Sequence, residues 1–183
     1  MSGTIKTVTP IDGSVYVERA LASGAEIAAA LAAARKAQAA WNQVPVGERQ
    51  VLLSKAVDAF VAKGPEIAEE ITRQIGRPLG QSPGEVRGFE ERARYMIQVA
   101  PEALADIDVG AKAGFNRFIR REPLGVVFVV APWNFPFLTA VNAIVPALMA
   151  GNAVILKHSA QTPLCAERFA QAFKKAGLPK GLF

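Results

Sequence analysis

The chain contains one cysteine, Cys165, and one histidine, His158, among its 183 residues. A single thiol excludes an intramolecular disulfide and suits a reducing compartment, so we expect a cytoplasmic protein. One histidine and one cysteine without a paired ligand spacing exclude the common zinc-site patterns, and we expect no metal ion.

Long hydrophobic runs are also missing. The most apolar part, residues 126–155, is interrupted by Asn134 and by several Pro and Gly residues. A membrane-spanning helix needs roughly 20 consecutive apolar residues, so we expect no membrane partner. The first residues, Met1-Ser2-Gly3-Thr4, have no apolar signal core.

Charge of one sign is only modestly in excess, since 21 Lys and Arg residues against 16 Asp and Glu residues give a net charge of +5. Arg117, Arg120 and Arg121 form a local basic cluster that lacks the interleaved signature of an RNA-binding surface. We therefore expect scattered, solvated charges and no nucleic-acid partner.

Hydrophobic residues make up 51% of the chain, which predicts a substantial core. Residues 1–114 show the spacing of amphipathic helices joined by short turns, and they form a predicted N-terminal helical part. Ser23 with Glu26, and Ser82 with Glu85, match the capping box that begins a helix. No catalytic group is expected there, and the glutamates are assigned mostly to solvated faces: Glu66, Glu69, Glu70, Glu90 and Glu91.

Residues 115–124 mix β-forming side chains with arginines and are closed by Glu122-Pro123. This composition predicts an exposed β arm in which charges discourage open-ended pairing. Residues 125–183 then change to a β-α-β-α pattern. The β-branched run 126–130 is typical of a strand covered on both faces of a parallel sheet, and residues 153–156 form a second such strand.

Helices are predicted over residues 137–150 and after Thr162-Pro163, where Thr162 is the expected N-cap. Residues 181–183 begin a third strand. The fold class is therefore α/β, a helical N-terminal segment leading into an incomplete Rossmann-like parallel sheet. Two strands and part of a third cannot shield both faces of a sheet. The chain is expected to be the N-terminal piece of a longer protein; the alternative is a naturally short protein that completes its sheet with a partner chain.

The segment Ala131-Pro132-Trp133-Asn134-Phe135-Pro136 joins the first of these strands to its helix. Ligands of open α/β sheets bind at such strand ends. A neutral carboxamide, braced by two prolines, suits an anionic oxygen that develops when a thiolate attacks a carbonyl. On the residues alone, Asn134 could instead cap the following helix.

The six-residue segment, together with four others, resembles the NAD(P)-dependent aldehyde dehydrogenase family from about residue 11 to residue 183. The other segments are Gly76-Arg77-Pro78-Leu79, Arg121-Glu122-Pro123-Leu124-Gly125, Pro146-Ala147-Leu148-Met149-Ala150-Gly151-Asn152 and Ala176-Gly177-Leu178-Pro179. The resemblance implies that Asn134 is the oxyanion donor. It also implies that Val130, Ala131, Pro132 and Trp133 line the cofactor pocket.

The resemblance further implies an oxidoreductase that converts an aldehyde to a carboxylic acid through a cysteine thiohemiacetal. The family's nucleophilic cysteine and general-base glutamate lie downstream of residue 183, so this piece alone is expected to be inactive. Cys165 is rejected as the nucleophile because it lies on the apolar face of a helix without a nearby base.

The segment Lys157-His158-Ser159-Ala160 follows the second strand. In the resembled family the lysine at this strand end bonds the adenosine ribose; without the motif, an exposed surface lysine is the favoured interpretation of Lys157. Many NAD-preferring members have a glutamate at the position of Ala160. Because Ala160 cannot repel a 2′-phosphate and Ser159 and Lys157 can bond one, NADP or NAD is expected. His158 is interpreted as an exposed loop residue.

The implied partners are a small aldehyde, such as succinic semialdehyde, and further copies of the same chain. In the family an arm like residues 115–124 pairs with a neighbouring subunit, although a solvated hairpin fits the residues equally well. Two other functions remain open: a naturally short non-catalytic relative that binds subunits or regulates them, and a different dinucleotide-binding reductase.

Overall fold

The computed structural model describes residues 3–183. The chain begins with an antiparallel hairpin, β1 (Thr4–Val8) and β2 (Val15–Ala20), followed by four helices: α1 (Gly24–Trp41), α2 (Val46–Val61), α3 (Gly64–Ile75) and α4 (Pro83–Ala103). A short hairpin, β3 (Ile107–Asp108) and β4 (Phe118–Ile119), leads to β5 (Val126–Val130), α5 (Pro136–Met149), β6 (Ala153–Lys157) and α6 (Pro163–Ala176). The predicted α/β class is confirmed.

The first hairpin corrects the prediction that the N-terminal part is purely helical. Its strands are rich in β-branched residues, and Gly13 turns between them with a φ of 78°. The turn is stabilised because the Asp12 carboxylate accepts a hydrogen bond of 2.9 Å from the backbone N–H of Ser14. Asp12-Gly13 between two runs rich in β-branched residues is a hairpin signal. The prediction of residues 1–114 rested on the helical spacing that follows and did not use this signal.

Strands β5 and β6 pair in parallel, with Val126 opposite Ala153 and Val130 opposite Lys157. The prediction that β5 is covered on both faces is wrong for this chain, because Phe128 and Val130 are 64% and 63% exposed while Val129 is buried. Residues 181–183 do not form the expected strand. They only approach β6, whose Val154 N–H donates to the carbonyl of the buried Leu182 at 2.9 Å.

The core lies among α2, α4, α5 and α6. Its centre is a cluster of phenylalanine rings in which Phe60 lies 4.1 Å from Phe89 and 4.9 Å from Phe137, measured between ring centroids. Phe169 of α6 packs 5.4 Å from Phe137. This cluster fixes the start of α5, which directly follows the segment 131–136.

Side chains from α1 and α2 fix the other end of α5. Helix C-termini leave carbonyl groups without intrahelical partners. Trp41 Nε1 donates to the Leu148 carbonyl at 2.8 Å, and Gln38 Nε2 donates to the Gly151 carbonyl at 3.0 Å. Arg49 Nη1 donates to the Met149 carbonyl at 2.9 Å. The contact gives the polar Gln38, which lies between the buried Ala37 and Trp41 of α1, a hydrogen-bond partner.

Candidate functional site at the strand ends

The carboxyl ends of β5 and β6 lie side by side. Val130 pairs with Lys157, and the Ala131 N–H donates to the Lys157 carbonyl at 3.2 Å. The segment 131–136 and the loop 158–162 therefore start from the same edge of the sheet. This edge is where ligands of open parallel sheets bind.

The segment 131–136 is anchored at both ends and open between them. Ala131 and Pro136 are buried, whereas Trp133, Asn134 and Phe135 are exposed. Phe135 is the N-cap residue of α5, and no side chain of its own caps the helix. The alternative that Asn134 caps α5 is therefore wrong. Within residues 3–183 the Asn134 carboxamide makes no hydrogen bond, so it is available to a ligand.

The helix is capped instead by Glu85, a residue that the sequence analysis did not identify as functional. Its carboxylate accepts from the backbone N–H groups of Phe137 at 3.1 Å and Leu138 at 3.2 Å. Glu85 is 1% exposed and is paired with Arg77 Nη1 at 2.9 Å. Arg77 also donates through Nη2 to the Asn134 carbonyl at 2.6 Å.

The predicted capping box of Ser82 and Glu85 is thus wrong. Ser82 is itself helical, with φ −58° and ψ −34°, and its hydroxyl lies 2.8 Å from that of Thr72. The Glu85 carboxylate makes no capping hydrogen bond in α4, so it can accept from the N–H groups of α5. The signal that the sequence offered is Arg77, which follows the C-cap Gly76 of α3 and reaches the segment with its guanidinium.

Lys157, the last residue of β6, is exposed, and its ammonium has no ion-pair partner within residues 3–183. The Ser159 hydroxyl accepts from the Gln161 N–H at 3.2 Å, which leaves its own proton available to a ligand. Ala160 is exposed, and its carbonyl accepts from the Thr7 hydroxyl of β1 at 2.9 Å. The first hairpin therefore supports this loop.

His158 is buried, which corrects the expectation of an exposed loop residue. Its Nδ1 accepts from the Ser159 N–H at 3.0 Å and lies 2.9 Å from the Thr162 hydroxyl. With Nδ1 accepting, Nε2 carries the proton and donates to the Pro136 carbonyl at 3.3 Å. Burial lowers the pKa of His158 below its ordinary value. The neutral ring ties the loop 158–162 to the segment 131–136.

Thr162 is the N-cap residue of α6, as predicted, but its hydroxyl faces His158 and not the helix backbone. Cys165 is buried on the inner side of α6, as predicted, and burial raises the pKa of its thiol well above the ordinary value. The thiolate form is therefore disfavoured.

Residues 3–183 contain no cluster of three or more His, Cys, Asp or Glu side chains that could hold a metal ion. None of the helices described over the same range is both long enough and apolar enough to cross a membrane.

Comparison with known proteins gives one family throughout. The sequence profile of the aldehyde dehydrogenase family matches residues 1–183. A probable NADP-dependent succinate-semialdehyde dehydrogenase of Synechocystis sp. is 35% identical over 179 residues, which cover 98% of this chain and 39% of that protein. The chain thus spans about two fifths of the length of the curated relatives it matches.

Solved structures superpose on most of this chain. PnpE from Pseudomonas sp. WBC-3 superposes with a TM-score of 0.91 at 35% identity, covering 98% of this chain and 37% of that one. An NADP-dependent glyceraldehyde-3-phosphate dehydrogenase from Bacillus halodurans, solved with NADP, gives a TM-score of 0.89 at 29% identity, covering 98% and 39%. The chain belongs to the aldehyde dehydrogenase family.

Proposed function

We propose that this chain supplies the N-terminal part of an enzyme that oxidises an aldehyde to a carboxylic acid with NADP or NAD. The observation that carries the proposal is the Asn134 carboxamide, exposed at a strand end and without a hydrogen-bond partner within residues 3–183. An amide N–H that bonds to no group of its own chain can donate to an oxygen that becomes negatively charged only during the reaction.

Aldehyde oxidation through a thiolate requires a hydrogen-bond donor for the carbonyl oxygen. When a thiolate adds to an aldehyde carbonyl, the sulfur–carbon bond forms and the carbonyl electron pair moves to oxygen. The amide N–H of Asn134 can donate to that oxygen without protonating the thiolate. Cys165 is buried with a raised pKa, so it is unsuited to be the nucleophile. We therefore assign the nucleophilic cysteine, together with the base glutamate that the family resemblance implies, to sequence outside these 183 residues.

The residues at the strand ends fit a dinucleotide. Lys157 offers an exposed ammonium with three donors, and Ser159 has a free hydroxyl proton. Val130, Ala131, Pro132 and Trp133 provide the adjoining wall, in which Val130 and Trp133 are 63% and 53% exposed. A bound nicotinamide would supply the hydride acceptor for the carbon to which the thiolate has added.

NADP is the favoured cofactor. Ala160 places a methyl group, and no carboxylate, beside Lys157 and Ser159, so nothing there repels a 2′-phosphate. Relatives named as NADP-dependent succinate-semialdehyde dehydrogenases support the same choice and suggest a small aldehyde as substrate. NAD remains the second cofactor, because PnpE was solved with it.

The full-length protein is proposed to act in the cytoplasm as a homo-oligomer, without nucleic-acid or membrane partners. Residues 115–124 support the subunit contact, because Phe115, Phe118 and Ile119 are 64%, 45% and 53% exposed around the hairpin β3–β4. The same exposure supports the second candidate function, a short non-catalytic relative that binds subunits.

The reading frame beyond residue 183 and an activity assay separate the two functions. We expect a continuation that contains a cysteine-bearing turn, and aldehyde-dependent NADPH formation by the full-length protein. The 183-residue chain alone is expected to show none. A stop codon directly after Phe183, or steady turnover by the isolated chain, would contradict the proposal.

A further inference from the structure

We propose that Arg77 and Glu85 are positioning residues that fix the Asn134 carboxamide for catalysis. The proposal rests on the proposed function of Asn134 and assigns to it a support built from a different part of the chain. Arg77 follows α3 and Glu85 lies in the first turn of α4, about fifty residues before the segment that they hold.

Arg77 bridges the Glu85 carboxylate and the backbone of Asn134. Nη1 donates to Glu85 Oε1 at 2.9 Å, and Nη2 donates to the Asn134 backbone carbonyl at 2.6 Å. The guanidinium carbon also lies 4.9 Å from the ring centroid of Phe135. The planar fork of arginine makes these contacts together, whereas a lysine ammonium is a single point charge. The contacts fix the carbonyl of Asn134 and the ring of the following residue.

Glu85 fixes the start of α5, which follows Asn134. Its Oε2 accepts from the N–H groups of Phe137 and Leu138, which are the first free donors of α5 and the positive end of its dipole. The helix start therefore cannot slide or fray without breaking contacts to a buried charge. One ion pair therefore holds the carbonyl of the exposed Asn134 and the helix start that follows it.

A stabilising role alone does not require this arrangement. A serine or aspartate at the N-cap position could satisfy the same N–H groups locally, without burying an ion pair. The pair Arg168–Glu70 is a control of similar burial, with Arg168 Nε donating to Glu70 Oε2 at 2.8 Å. It joins α6 to α3 and makes no hydrogen bond or ion pair with residues 131–138.

The test compares Arg77→Met and Arg168→Met in the full-length enzyme, each with and without Asn134→Ala. We expect Arg77→Met to lower kcat by about 10- to 100-fold relative to Arg168→Met, because misplacing a reacting group by about 1 Å has an effect of this size. The KM for aldehyde and for cofactor should change by less than about threefold. Arg77→Lys, which keeps the charge beside Glu85, serves if the methionine variant does not fold.

The decisive measurement is the coupling to Asn134. In the Asn134→Ala background, Arg77→Met should cost no more than about threefold, because there is no amide left to position. Equal losses in both backgrounds would overturn the positioning role, as would an Arg77→Met kcat equal to that of Arg168→Met. If Asn134→Ala alone keeps the native rate, the proposed function itself fails.

Discussion

The buried Arg49 gives a sharp stability prediction. Its side chain is 6% exposed and faces carbonyl groups in place of a carboxylate: Nη1 donates to Met149 and Nη2 to Asn42, each at 2.9 Å. These carbonyls lie at the C-terminal ends of α5 and α1. Nε is buried without a partner within residues 3–183, and burial lowers the pKa of the guanidinium. The negative ends of two helices therefore hold this charge.

Arg49→Met removes both hydrogen bonds and leaves their acceptors unsatisfied. An unsatisfied buried acceptor costs about 1–3 kcal/mol. The Met149 carbonyl is buried, whereas the contact at Asn42 is only partly buried, so the second carbonyl lies at the low end of that range. Added packing by the methionine side chain offsets part of the loss. The two acceptors together cost about 2–4 kcal/mol, so after this offset we expect a net decrease of about 1–3 kcal/mol in the free energy of unfolding.

The measurement is urea unfolding followed by circular dichroism, with Arg94→Met as the matched control. Arg94 is 43% exposed in its ion pair with Asp58, so its replacement should cost less than about 1 kcal/mol. An Arg49→Met variant within about 0.5 kcal/mol of Arg94→Met would refute the account of this charge.

Three further predictions concern the site and its surroundings. Because the folded pKa of His158 lies below its unfolded value, the unfolded chain binds the proton more readily; stability should therefore fall as pH drops below about 6.5, by at most about 1.4 kcal/mol per pH unit, and His158→Gln should remove this slope. Unchanged pH dependence in that variant would contradict the assignment. Cys165 should react with a thiol reagent only in denaturant, and fast labelling of the native chain would contradict its burial. Ala160→Glu in the full-length enzyme should lower kcat/KM for NADP relative to NAD by about 10-fold or more, since a carboxylate repels the 2′-phosphate, and an unchanged ratio would contradict NADP binding at this loop.

Local chemistry made much of the fold predictable. The continuous β-branched run gave β5, and Thr162-Pro163 with Gly177 bounded α6, because these signals act within a few residues. The two Ser-x-x-Glu patterns show that a local signal does not always predict the local contact. Ser23 and Glu26 form a capping box, with the Glu26 N–H donating to Ser23 Oγ at 3.2 Å, whereas Ser82 and Glu85 do not.

The remaining misses share a physical cause. Glu85 is drawn to the N–H groups of Phe137 and Leu138, which are 52 and 53 residues away, and no local pattern encodes that contact. His158 is buried, and its ring bonds to the Pro136 carbonyl across two neighbouring strand ends. Glu85 becomes recognisable only when α4 packs against α5. His158 becomes recognisable only when the parallel pairing of β5 and β6 brings the two loops to one edge.

The roles of Asn134, the cofactor-pocket residues and Lys157 remain predictions. The sequence could single out Asn134 because two prolines and a strand surround it. It could not predict that the amide is left without a partner, since this depends on Glu85 taking over the cap of α5.

The central claim is that the Asn134 amide stabilises an oxyanion. Its most direct test is the kcat of Asn134→Ala in the full-length protein, followed as aldehyde-dependent NADPH formation at saturating substrate. Loss of one oxyanion donor predicts a decrease of about 100- to 1000-fold. A kcat within about threefold of the native value would contradict the claim.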